Sequence, residues 1–112
     1  MDRMKEYREI IKKLLREREQ IARPFLPPGL ELVCVFDDRS GCYGLLTLGW
    51  MKGERVCGDT LLLRIKDGKV WVEDDQTDAP IAEDLVEAGI PPEEIVLGFQ
   101  PQEMRAHMDF AA

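Results

Sequence analysis

The chain holds one histidine, His107, set between Arg105 and Asp109, and one serine, Ser40. A general base needs a nucleophile and an orienting partner within reach. Ser40 stands in the turn-forming run Asp37-Asp38-Arg39-Ser40-Gly41, which lacks the strand–turn–helix pattern of a nucleophile elbow. The three cysteines, Cys34, Cys42 and Cys57, are odd in number and have no CxxC spacing. They read as reduced, small apolar residues within strands rather than as a disulfide framework. With a single histidine they do not make up a zinc ligand set. Gly49, Gly53 and Gly58 fit neither GxGxxG nor GxxxxGK. The acidic run Glu73-Asp74-Asp75, with Asp78 behind it, lacks the internal Gly and closing Glu of a calcium loop. It reads as a solvated loop feeding a helix N-terminus, where carboxylates are favoured. The expectation is a protein without a catalytic, metal or cofactor site, and so not an enzyme.

The two tryptophans carry more information, because Trp fills cores but also anchors interfaces. Asp67-Gly68 between apolar runs predicts a two-residue hairpin turn. That turn sets Ile65 opposite Val70 and Leu63 opposite Val72 on an apolar face. On the other face it sets Trp71 opposite Arg64, Lys66 opposite Lys69, and Leu62 opposite Glu73. Arg64, Lys66, Lys69, Trp71 and Glu73 are therefore the candidate partner surface. Trp50 shares parity with Leu46 and Leu48 and is expected in the core.

These residues must be positioned by a small set of elements. Residues 1–22 carry Met4, Tyr7, Ile11, Leu14, Leu15 and Ile21 on one face, the pattern of an amphipathic helix. Pro24 ends it, and Pro27-Pro28-Gly29 forms a stiff exit. Residues 31–74 read as four strands in an antiparallel meander, with breaks at residues 37–41, at Lys52-Gly53 and at Asp67-Gly68. A second helix is expected over residues 79–88, capped by Asp78 or Thr77, with Pro80 in its first turn and Gly89 at its end. Ile95-Val96-Leu97 is a short apolar strand or link, and Pro101 opens a last short helix. The fold class is α+β, an N-terminal helix, a four-stranded antiparallel meander and two short C-terminal helices in a single domain, residues 1–112. Ile11, Leu14, Leu46, Leu48, Leu61, Leu63, Ile65, Val70, Val72, Ile81 and Leu85 are expected to be largely buried. Both faces of the sheet are apolar, with Val33 and Val35 opposite Leu32, Cys34 and Phe36 on the first strand. That predicts a two-fold dimer through the face the helices leave uncovered.

The 112 residues are 45% hydrophobic and 33% charged, the composition of one globular domain. The net charge of −7 and a pI near 4.7 disfavour direct nucleic-acid binding, which draws its affinity from Lys and Arg on phosphates. The N-terminus, MDRMKEYREI, has no apolar signal region, and the longest nearly apolar stretch, Tyr43 to Met51, is too short to span a bilayer. A soluble, cytoplasmic protein without a membrane role is expected.

Several segments, in order and spacing, are similar to one family. They include Leu48-Gly49-Trp50, Arg55-Val56, Ile65-Lys66-Asp67-Gly68-Lys69-Val70-Trp71-Val72, Ala88-Gly89-Ile90-Pro91 and Ile95-Val96-Leu97-Gly98-Phe99-Gln100-Pro101, with Thr77-Asp78, Arg105 and Phe110-Ala111 around them. The chain resembles the XisI family of fdxN-element excision controlling factors over nearly its whole length. The resemblance implies a non-catalytic accessory role in the excision of a DNA element, a process associated with cyanobacterial heterocyst differentiation. It also implies a second controlling factor, a XisH-like protein of nuclease fold, as partner. The alternative is an accessory factor that binds DNA directly at the recombination sites. Where the family often carries histidine, this chain has Cys57, Leu62 and Gln100, which argues against histidine-based chemistry.

Overall fold

The computed structural model describes residues 2–111. Helix α1, Arg3–Ala22, begins where the Asp2 carboxylate accepts the Met4 amide at 3.0 Å. Its apolar stripe puts Tyr7, Ile11 and Leu15 fully into the core. A short 3₁₀ turn, Arg23–Phe25, carries the chain out through Pro24 and leaves Phe25 84% exposed.

Four strands follow in meander order, β1 Leu30–Asp37, β2 Cys42–Met51, β3 Glu54–Lys66 and β4 Lys69–Asp75. A fifth strand, β5 Ile95–Leu97, lies beside β4 and parallel to it. The sheet is thus five-stranded and mixed, in the order β1-β2-β3-β4-β5, where the sequence predicts a four-stranded antiparallel meander. The parallel pair arises because the 75–94 segment crosses over the sheet through α2, Ile81–Glu87, and returns the chain in the direction of β4.

Helix α2 is not capped by Asp78 or Thr77. The Asp75 carboxylate, at the end of β4, accepts the Ile81 amide at 2.8 Å and the Thr77 amide at 2.8 Å. The acidic run therefore does serve a helix N-terminus, through a residue six positions upstream. At the other end the Ile90 amide donates to the Leu85 carbonyl and the Gly89 amide to the Val86 carbonyl, the paired bonds of a Schellman motif. Arg18 of α1 bonds the Asp84 carboxylate of α2 at 2.8 Å, tying the two helices together over the sheet.

The core lies between these helices and one face of the sheet. Ile11, Leu61, Leu63, Val70, Val72, Ile81 and Leu85 are buried as expected, while Leu14 and Ile65 are partly buried against the same cluster. Leu46 and Leu48 are not part of it. Their neighbours Tyr43 and Leu45 face inward instead, paired with Leu63 and Leu61 of β3. β2 alternates without a break, so with Tyr43 and Leu45 inward, Leu46, Leu48 and Trp50 lie on the outer face, and Trp50 is 58% exposed rather than core. The bulge at Thr60 acts on β3: Leu45 opposes Leu61 and Leu46 opposes Asp59, so the parity of β3 inverts across one residue and Asp59, Cys57 and Arg55 come to that outer face.

Gly49 is required where β2 passes the start of β1. It has φ +140°, and a Cβ there would sit 1.9 Å from the Gly29 carbonyl oxygen. The close approach lets the Trp50 amide donate to that carbonyl at 3.0 Å.

Candidate partner surface

The β3–β4 hairpin turns through Asp67 and Gly68, both at positive φ. Its register pairs Ile65 with Val70, Leu63 with Val72, Arg64 with Trp71 and Lys66 with Lys69, as the turn chemistry predicts. Leu62 does not meet Glu73. A second irregularity between Leu62 and Leu63 makes Glu73 the extra residue, and Leu62 pairs with Asp74. Freed from the ladder, Glu73 bonds Arg64 across the outer face at 2.8 Å.

Trp71 is half-buried on that outer face. The Lys66 ammonium lies 5.0 Å from its ring centroid and the Arg105 guanidinium 5.7 Å. Arg105 comes from α3, Gln102–Arg105, and is held by its own bond to the Gln100 carbonyl at 2.8 Å. The C-terminal segment therefore wraps the β5 edge. It sends Arg105 to the outer face and Phe110 to the inner core, and Ala111 pairs alongside Val96. Arg64, Lys66, Lys69 and Arg105 thus gather around one indole on a chain of net charge −7. The indole Nε1 and the Nε atoms of Arg64 and Arg105 are buried donors with no bonded acceptor among the described residues. Arg105 was legible only as a family position; its contact with Trp71 depends on the path of the last ten residues.

The remaining sequence candidates are scattered. His107 is exposed beyond α3, and Ser40 lies in the β1–β2 turn. Cys34 and Cys42 are half-buried, but Cys57 is exposed on the outer face of β3 rather than within the core. Burial raises the Cys34 thiol above its ordinary range. Asp59 and Asp74 share a hydrogen bond across β3 and β4; the bond and partial burial push the Asp59 carboxyl up, and the same bond holds Asp74 down. Among the described residues no three His, Cys, Asp or Glu side chains gather closely enough to hold a metal ion, and no helix is long and apolar enough to cross a membrane.

The XisI protein family model matches residues 1–112. The chain belongs to the XisI family. A XisI-like protein from Anabaena variabilis, solved by crystallography, is 31% identical, with a TM-score of 0.90 over 98% of this chain and 99% of that one. A second crystal structure from the same organism, described as the fdxN element excision controlling factor XisI, is also 31% identical. Its TM-score is 0.86 over 98% of both chains. The XisI fold therefore includes the fifth, parallel strand that the meander reading leaves out. No curated protein matches the chain.

Proposed function

We propose that this XisI-family chain is a non-catalytic controlling factor of DNA-element excision that acts by binding a nuclease-like XisH-type partner protein. The observation that carries this reading is the outer-face cluster centred on Trp71. A half-buried indole flanked by Lys66 and Arg105, with Arg64, Lys69 and Glu73 around it, has the residue types that anchor protein interfaces. Lys66 is exposed beside the indole, within reach of a partner's carbonyls or carboxylates. Co-expression of the tagged chain with a XisH-type protein is the test. Wild type should retain the partner, and Lys66→Glu should lose it while keeping the wild-type melt. A single clean species from wild type would sink the reading.

The same cluster favours a second reading, direct binding to DNA, because Arg64, Lys66, Lys69 and Arg105 concentrate positive charge that the net composition conceals. A mobility-shift assay on the isolated chain separates the two: only the second predicts a shift without the partner, and a shift that weakens as salt rises.

A further inference from the structure

The longest strand is not fully paired. β4 covers β3 only from Leu61 to Lys66, and the last bond on that side runs from the Gln76 amide to the Thr60 carbonyl at 2.9 Å. Glu54 to Asp59 is bonded to β2 on one side, and among the described residues nothing pairs the other side. An open edge of this kind is a template for another strand.

The direction of its backbone groups follows from the hairpin. Lys52 and Gly53 form a two-residue turn with φ +53° and +78°, so Met51 and Glu54 close the β2–β3 ladder. Glu54, Val56 and Gly58 then point their N–H and C=O groups toward β2. Arg55, Cys57 and Asp59 point theirs outward. The Trp50 amide agrees with this alternation, since it bonds Gly29 on the β1 side, away from β3.

The side chains at this edge are charged in a self-complementary way. Arg55 rests over the Trp50 ring and donates to the Gly49 carbonyl, with no carboxylate partner among the described residues. Asp59 is crowded against Asp74, with no cation beside it among the described residues.

We propose that two copies of the chain join edge to edge through antiparallel β3 strands, with Cys57 opposite Cys57 and Arg55 of each copy opposite Asp59 of the other. This register brings all three outward-facing residues of each copy into the ladder. A shift by one residue sets outward groups against inward ones, and a shift by two leaves Arg55 or Asp59 outside the pairing. Val56 then crosses over Gly58, and the two sheets become one. Arg55, Cys57 and Asp59 lie on the outer face, so the joined sheet sets the Trp71 clusters of both copies on one continuous surface. The inference is independent of what binds there.

Sedimentation velocity at micromolar concentration should give a dimer for wild type. Arg55→Glu and Asp59→Arg should each weaken it by roughly tenfold or more, through like charges placed opposite each other twice. The double variant R55E/D59R should restore it, because the swapped charges meet again. A short bismaleimide should link wild-type chains through Cys57 and fail on Cys57→Ser. That arm uses folded wild-type protein and does not depend on any charge variant folding. A monomeric wild type, a dimer indifferent to Arg55→Glu, a double variant that stays dissociated, or a dimer that does not cross-link at Cys57 would each overturn the proposal.

Discussion

Gly98 lies against the Trp71 ring: a Cβ built on it would stand 3.1 Å from Trp71 Cε3 and 2.6 Å from Glu73 Oε1, with the Val72 carbonyl oxygen at 3.3 Å. The bend after β5 and the outer-face cluster therefore depend on each other. Glu73 can swing aside, but only by releasing Arg64, while the indole and the carbonyl have little room to yield.

Gly98→Ala should accordingly cost about 1–3 kcal/mol and loosen the Trp71 cluster more than the core. Urea unfolding measures the first. Tryptophan fluorescence measured with the Trp50→Phe background, which leaves Trp71 as the sole emitter, measures the second. An unchanged emission spectrum would show that the ring does not depend on Gly98.

Leu63 sits fully buried on the inner face between Tyr43 and Val72. Leu63→Ala should destabilise the protein by about 2–5 kcal/mol, through lost burial and the cavity left behind. Leu48→Ala, half-buried on the outer face, should cost less, about 1 kcal/mol, since part of the side chain already meets solvent. Equal losses at the two positions would contradict the assignment of faces.

The tryptophans should separate in the same way. Trp50 gives up little beyond its stacking with Arg55, worth about 0.5–1 kcal/mol at an exposed site. Trp50→Ala should shift the thermal melt by only a few degrees. Trp71→Ala removes the surface on which Gly98, Lys66 and Arg105 rest and should lower the melt distinctly more. Differential scanning calorimetry of the two variants decides the order.

The Asp59–Asp74 pair predicts a pH signature. Asp59, raised chiefly by its hydrogen bond to Asp74, favours folding while protonated, and that contribution fades as pH rises through its raised value. Asp74, lowered by the same bond and by Gln76, contributes above the ordinary aspartate range and loses this as pH falls through its lowered value. Above the raised Asp59 value both are ionised and repel. Asp59→Asn keeps a donor to Asp74 without the charge, so it should raise the melting temperature of dilute protein at the alkaline end of a pH series more than at the acid end. Melting curves that shift equally at both ends would show that the two carboxyls do not interact.

Local chemistry determined much of this protein by sequence alone. The period of Tyr7, Ile11 and Leu15 sets α1, and Asp67-Gly68 fixes its hairpin register through the φ values such a turn demands. The placement of Trp71 opposite Arg64 follows directly from that turn. These features are legible because each depends on residues a few positions apart. The segments around Trp71 carry the family resemblance as well. What only the tertiary structure decided lies where one residue breaks the period of two. The bulge at Thr60 brings Arg55, Cys57 and Asp59 of β3 to the outer face opposite Trp50, Leu48 and Leu46, and the extra residue at Glu73 turns a ladder partner into an ion-pair partner of Arg64. Neither bulge has a local signal, because each is chosen by the fit of whole strands against the helical layer. The parallel strand β5 and the reach of Arg105 to Trp71 are decided the same way. They rest on a crossover of some twenty residues that no short-range rule can close.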